Sequence, residues 1–519
     1  MTKISRRDFL KLGSIASAGA ALSGALPVLS QTDQNKPNIL VLVFDAMTAR
    51  HVSVYGYERE TTPNLAKLAS RANVYHRNYS PANFTTPGTS SILTGLHPWT
   101  HRAINLHGLV SRSVVDQNIF HLLADYRRIG FTQNPLAELL LGQFAQDLDE
   151  HWLPSEFGLF HPTANQLGHF FSNDLDAVAR AGQLLYSMGS NDLPPGSLIG
   201  GLIEWLGYNR GLADPANKKE YPLAGFPTIL DSHFAFRMDD LFDGLSTQVK
   251  ELASGVPFFM YAHLIAPHAP YLPRKVFNNL FKDDGVDPVV KPDHKLVDQR
   301  YPLKTLINQS RRYDQYIADL DDAFGKMIDA FESNRVLDNT YLFVISDHGE
   351  LFERSEWGHR TALLYEPVIT TPLIISVPGQ DQRRDVFAPT SNLDLLPTWL
   401  SLAGKPIPAW SEGKILPGFA NAQAESDRGI FAIEAKQNVA FAPLTKATIA
   451  LIKNDKKLIK YLGYNGAYAD AYEFYDLGSD RGEMNDRYAD AQASPDVTKM
   501  KDEIMTALDE ANKRSGNGF

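Results

Sequence analysis

Three short stretches carry residue types that could do chemistry together. The first is Val41-Leu42-Val43-Phe44-Asp45, an apolar run closed by a carboxylate. The second is Asn83-Phe84-Thr85-Thr86-Pro87-Gly88-Thr89-Ser90-Ser91-Ile92-Leu93-Thr94-Gly95, where hydroxyls crowd the approach to an apolar pair. The third, far downstream, is Val344-Ile345-Ser346-Asp347-His348-Gly349-Glu350. A hydroxyl-rich turn can lead into a helix N-terminus, whose free N–H groups favour an anion. Alone, such a turn is more often a plain cap, and a lone Asp after a strand is more often a turn residue. Taken jointly, Asp45, Asp347, the imidazole of His348 and the hydroxyl of Thr85 make a mixed oxygen and nitrogen donor set suited to one divalent cation. A cation there would lower the pKa of the hydroxyl and neutralise charge that develops on an attacked ester.

With these stretches side by side, the chain resembles the sulfatase branch of the alkaline phosphatase superfamily. The sulfatase motif Cys-x-Pro-Ser-Arg-x-x-Leu-x-Thr-Gly falls on Thr85-Thr86-Pro87-Gly88-Thr89-Ser90-Ser91-Ile92-Leu93-Thr94-Gly95. Pro267-His268-Ala269-Pro270-Tyr271 is similar to the family's Pro-His-x-Pro-Tyr signature. Phe474-Tyr475-Asp476-Leu477 with Asp480-Arg481-Gly482-Glu483 resembles its closing signature. The resemblance implies a metal site of Asp45, Thr85, Asp347 and His348 for one ion (manganese, magnesium, calcium or zinc), with Thr85 as nucleophile. It implies too that His268, and His359 in Glu356-Trp357-Gly358-His359-Arg360, contact the ester oxygens or protonate the leaving group. His263 stays open as a further participant, and His97, His101 and His107 rank below it.

Four departures from the family pattern steer the chemistry. Thr85 stands where sulfatases carry Cys, Ala46 where they carry a second Asp, His348 where they carry Asn, and Thr89 where they carry Arg. The chain has no cysteine, so the usual precursor of formylglycine is missing and no formylglycine is expected. A formylglycine hydrate expels sulfate by collapsing to an aldehyde, whereas a threonine ester has to be attacked directly. The pattern therefore resembles threonine-nucleophile members that handle phosphoesters, such as phosphoglycerol and phosphoethanolamine transferases. The expected substrate is an anionic ester, glycan- or lipid-linked ones included: a phosphomonoester, phosphodiester or phosphonate, passed to water or to an alcohol. Sulfate-ester hydrolysis is the second reading, and an inactive member binding an anionic glycan or lipid the third.

The elements that must position these residues are those of an α/β fold: a doubly wound, mostly parallel sheet flanked by helices, of the alkaline-phosphatase/sulfatase type. Asn38–Phe44, Pro257–Tyr261, Tyr341–Ser346 and Pro372–Val377 read as buried strands, and such sheets bind ligands at the carboxyl ends of their strands. Thr61-Thr62-Pro63 starts a helix, Ile119–Tyr126 reads as another, and Tyr313, Ile317, Leu320, Phe324, Met327 and Phe331 form a core-facing stripe on a long one. After Gly404 the texture changes. A hairpin at Ala447–Lys453 and Lys456–Tyr461, then a helix with Val497, Met500, Ile504 and Leu508 on one face, indicates a small antiparallel sheet subdomain.

The 519 residues thus divide into a catalytic domain at 36–404, with a helical insert at about 156–255, and a C-terminal α+β subdomain at 405–519. Residues 1–30, with Ser5-Arg6-Arg7-Asp8-Phe9-Leu10-Lys11, resemble a twin-arginine export signal. The expected address is periplasmic or secreted, with an uncleaved N-terminal anchor as the alternative and no transmembrane domain in the mature chain. An exported chain without cysteine takes its stability from its core. The net charge of −10 argues against a nucleic-acid partner.

Overall fold

The computed structural model describes residues 36–153, 213–221, 227, 236–282, 284–286, 289–297, 300–423, 425 and 427–515. The expected signal at 1–30 and most of the expected insert, 196–207 included, lie outside them.

In chain order the main sheet is built from β1 (Asn38–Phe44), β2 (Asn73–Tyr75), β3 (Arg127–Thr132), β4 (Glu150–Trp152), β5 (Phe258–Leu264), β6 (Thr340–Ile345), β7 (Leu373–Ser376) and β8 (Arg384–Val386). Their spatial order is β8-β2-β7-β6-β1-β5-β3-β4. β1 is central and every residue in it is buried. Its neighbours β5 and β6 run parallel to it, with Phe44 opposite Leu264 and Val43 opposite Ile345. Three strands therefore end level with one another, and the residues just past those ends are Asp45 and Ser346-Asp347.

A strand that is apolar along its whole length must be covered on both faces. On one side Leu40, Leu42, Phe44, Met260 and Val344 pack against α4 (Met238–Ala253) and α5 (Leu303–Ser333). The stripe expected on α5 is buried throughout. On the other side Ile39, Val41, Val43, Phe259 and Ile345 meet Ile92 and Leu93 of α2 (Thr85–Thr94) and Trp399 of α6 (Leu395–Leu402). The helix expected at Thr61-Thr62-Pro63 is α1 (Pro63–Ala69).

Three expectations need adjusting. The strand at 372–377 is present as β7 but runs antiparallel to β6, with Leu373 opposite Ile345. The strand starting at Pro257 does not stop at Tyr261; Ala262, His263 and Leu264 pair with Leu42, Val43 and Phe44, and β3 extends the pairing on the other edge as far as His263. Hydrogen bonding from both neighbours carries a polar residue into the sheet. The helix expected at Ile119–Tyr126 covers only Ile119–Leu122, because Arg127 already opens β3.

The C-terminal sheet is antiparallel, in the order β9 (Ile430–Glu434), β10 (Ala447–Lys453), β11 (Lys456–Leu462), β12 (Tyr472–Asp476). Asn454 and Asp455 turn the hairpin with φ of 50° and 58°, the backbone that a two-residue primed turn requires. Val497, Met500, Ile504 and Leu508 of α7 (Pro495–Ser515) pack on this sheet, and Trp99 and Ile104 join the same core. Among the described residues no helix is long and apolar enough to cross a membrane.

Candidate active site

Asp45 and Asp347 follow the level ends of β1 and β6, and both are fully buried. Each carboxylate has one oxygen anchored and one open. Asp347 Oδ1 accepts from the backbone N–H of His348 at 3.0 Å and of Ala46 at 3.3 Å. Ala46 takes φ of 60° to aim that N–H, and its neighbour Met47 donates to Ser346 Oγ at 2.9 Å. Asp45 Oδ2 accepts from the side-chain amide of Asn134. The remaining oxygens, Asp45 Oδ1 and Asp347 Oδ2, have no hydrogen-bond partner.

Two imidazoles face these oxygens. His348 uses Nδ1 to donate to the Gly349 carbonyl at 2.9 Å, which leaves a lone pair on Nε2. That Nε2 lies 3.6 Å from Asp45 Oδ1, 3.4 Å from Asp347 Oδ2 and 3.3 Å from Thr85 Oγ1. His263, inside β5, meets the Tyr261 hydroxyl at 3.1 Å through Nδ1. Its Nε2 is 3.3 Å from Asp45 Oδ2 and 3.8 Å from Asp347 Oδ2, and has no aligned hydrogen-bond partner. A polar group buried without a partner is costly. Here Asp45, His263 and Asp347 each carry such an atom, and the three side chains lie in a geometry that could hold a metal ion.

The electrostatics say the same. Burial pushes the Asp45 carboxyl up, but the His263 imidazole beside it and the charges of His268 and His348 overcome this and hold it at about 2. Asp347, as deeply buried and facing the charge of Asp45, is pushed up to about 8. Two carboxylates this close keep one proton between them unless a cation takes its place. The residues present therefore fit one divalent ion.

Thr85 opens α2, and Phe84 supplies no side-chain cap ahead of it. The helix sits close under β6 because residue 88 is glycine: a Cβ there would lie 2.6 Å from the Asp347 carbonyl oxygen. Thr85 Oγ1 can donate to His348 Nε2 and accepts from Asn134 Nδ2 at 3.3 Å. Thr85, Asp45, Asp347 and His348, the four expected together, thus surround one point.

His268 and His359 stand over the same region. Their ring centres are 4.9 Å apart, and His359 is 4.3 Å from the ring of His348. His268 Nδ1 donates to the Ala269 carbonyl at 2.6 Å. Nδ1 of His359 is 3.1 Å from the buried carboxyl of Glu350, and Asn83 ties the segment down by donating to the His359 and Thr361 carbonyls at 2.7 and 2.8 Å. Burial pushes both imidazoles below their usual range. His101 is instead locked to Ser91 Oγ at 3.0 Å inside the core, and His97 packs on Trp99 and Phe431.

The sequence leaves His263 open as a further participant, and the structure brings its ring to the two aspartates. Glu350 was noted only as the neighbour of His348, although a carboxylate two positions past a ligand is a common support. Asn134 went unseen because β3 did, yet Asn134-Pro135 is a strong helix-start signal at a strand end.

A family model described as Sulfatase matches residues 37–137 and 196–405, more than half of the chain. A second, described as N-sulphoglucosamine sulphohydrolase, C-terminal, matches residues 355–510. The chain is 25% identical over 441 residues to a choline-sulfatase of Rhizobium meliloti (strain 1021), covering 79% of this chain and 76% of the relative. Among solved structures it is similar to a phosphonate monoester hydrolase from Silicibacter pomeroyi, with a TM-score of 0.63 at 19% identity over 92% of this chain and 96% of the other. A phosphonate monoester hydrolase of Agrobacterium radiobacter gives a TM-score of 0.66 at 16% identity over the same shares of each chain.

Proposed function

The chain belongs to the sulfatase family of the alkaline phosphatase superfamily, and from that premise we propose that it is a metal-dependent hydrolase or transferase of phosphate-type esters with Thr85 as nucleophile. The carrying observation is the clustering of the Asp45, Asp347 and His263 side chains in a geometry that could hold a metal ion, with Asp45 Oδ1, Asp347 Oδ2 and His263 Nε2 each without a hydrogen-bond partner, beside His348 Nε2 and Thr85 Oγ1. In this reading Asp45, Asp347, His348 and His263 hold one divalent ion against Thr85. His263 supplies the donor that Ala46 cannot. The ion, when bound, lowers the pKa of the Thr85 hydroxyl and offsets negative charge on the ester.

Thr85 sheds its proton to solvent, and Oγ1 attacks phosphorus in line. The Oγ1–P bond forms as the P–O bond to the departing alcohol breaks, and that oxygen takes a proton from His268 or His359. Burial pushes those imidazoles below their usual range, and an anionic ester beside them favours the protonated form. Water or an acceptor alcohol then attacks phosphorus, freeing Thr85 and returning the proton to the imidazole.

Phosphate is favoured over sulfate because the chain has no cysteine from which formylglycine could be made. The resemblance to a choline-sulfatase supports sulfate esters as the second reading. The twin-arginine pattern at residues 5–11 supports export. A side-by-side assay of aryl phosphate, aryl phosphodiester, aryl phosphonate and aryl sulfate, with and without chelator, decides among these. Metal-dependent turnover should be fastest on a phosphorus ester and fall to background in Thr85→Ala. Dominant sulfate turnover, or an active Thr85→Ala, overturns the reading.

A further inference from the structure

The geometry points to Asn134 as a catalytic residue whose side-chain amide holds the nucleophilic oxygen. This rests on Thr85 being the nucleophile. Asn134 is buried in the turn between β3 and α3 (Pro135–Gln143), where it caps the helix. Its Oδ1 accepts from Leu136 N at 2.7 Å and Ala137 N at 3.4 Å. Its backbone N–H is fixed by Thr132 Oγ1 at 3.0 Å.

The cap decides which way the carboxamide faces. With the oxygen committed to the helix, the NH2 group can only point across the strand ends into the site. Both of its hydrogens are used there, one on the Asp45 carboxylate and one on Thr85 Oγ1 at 3.3 Å. The first contact leaves Asp45 Oδ1 as the open oxygen. The second places a fixed donor on the atom that gains negative charge when it is activated.

A preorganised, buried N–H aimed at a developing oxyanion is the arrangement that costs nothing to reorganise during reaction. An amide neither gives up nor takes a proton at working pH, so Asn134 cannot replace the imidazoles as acid or base. Its contribution is to favour the ionised Thr85 oxygen and to hold it in the attacking rotamer. Nothing in the family motif at Thr85 specifies this contact, which comes from a strand end on the far side of β5.

The cap and the donor can be separated by mutation. Asn134→Ser keeps a capping oxygen and loses the amide NH2 group that reaches Asp45 and Thr85, and Asn134→Gly leaves the helix start nearly as stable. Each is purified with wild type, and kcat and KM are measured on the aryl ester that wild type turns over best, alongside Tm and the Kd for the activating metal ion. The expected result, measured at saturating metal ion, is a fall in kcat of about 100-fold or more in both variants, with KM and Tm close to wild type and metal affinity weakened by about 10-fold, because Asp45 loses a support. Wild-type kcat in Asn134→Ser would reduce Asn134 to a helix cap and overturn the inference. Wild-type kcat recovered at saturating metal ion, or a loss of activity that tracks a loss of Tm, would also overturn it, assigning Asn134 to ligand support or folding. Wild type that turns over none of the esters would defeat the Thr85 reading itself, and this inference with it.

Discussion

His263 is the residue on which the metal proposal departs furthest from the family pattern. Sulfatases place a second Asp after the first, and this chain has Ala46 there, with a backbone N–H serving Asp347 in place of a carboxylate. The imidazole of His263 enters from the neighbouring strand and comes within 3.3 Å of Asp45 Oδ2 and 3.8 Å of Asp347 Oδ2. Its Nδ1 contact with Tyr261 orients the ring, the kind of outer contact whose loss typically costs 10–100-fold in metal affinity. His263→Ala should therefore weaken divalent-ion binding by about 100-fold and Tyr261→Phe by about 10-fold, read by equilibrium dialysis. Wild-type affinity in His263→Ala would remove it from the donor set. Asp45, Thr85, Asp347, His348 and His359 were legible because each closes or follows a recognisable local pattern. His263 stayed open, since pairing to β1 and β3, rather than local composition, keeps residue 263 in a strand.

At the scale of elements, the site depends on how closely α2 approaches the end of β6. Gly88 sets that distance. Alanine in a helix interior is worth about 1 kcal/mol over glycine, so on propensity alone Gly88→Ala should stabilise. Overpacking a filled interior typically costs about 1–3 kcal/mol, and here the added Cβ would meet a backbone carbonyl at 2.6 Å, which cannot rotate away. The clash wins. Gly88→Ala should lower the denaturant midpoint by the equivalent of about 1–2 kcal/mol and weaken metal binding, because the atom it displaces belongs to Asp347. A midpoint that rises would show that α2 has slack. The strands β1, β5, β6 and β7 were readable as continuous apolar runs, and the stripe on α5 from its helical spacing. The reversed direction of β7 was not, because a fully buried strand has the same apolar composition whichever way it runs.

At the scale of the whole molecule, the C-terminal sheet is tied to the catalytic part by a buried charge cluster. Lys457 of β11 has no exposure, and its Nζ donates to Glu483 at 2.7 Å and to Glu366 at 3.3 Å. Glu366 lies seven positions after His359 and also pairs with Arg50, five positions past Asp45. Burial pushes Glu366 up, but Lys457 and Arg50 outweigh it and hold its carboxyl low. Glu483 is pushed up by burial and by the charge of Glu366, against the pull of Lys457. Removing one partner of a buried pair typically costs about 3–5 kcal/mol, because the charge left behind is uncompensated. Lys457→Met should cost about that much, and Glu483→Gln in the same chain should restore part of it. The sign with pH follows from Glu483. A carboxyl raised in the folded state binds its proton more tightly there than in the unfolded chain, so its contribution is present at low pH and is lost as pH rises through the folded pKa. Without Lys457 the shift grows, so the deficit of Lys457→Met should widen from acid towards neutral pH. Urea titrations of wild type and variant across that range test it. A deficit that narrows as pH rises would place the missing compensation elsewhere than on Glu483.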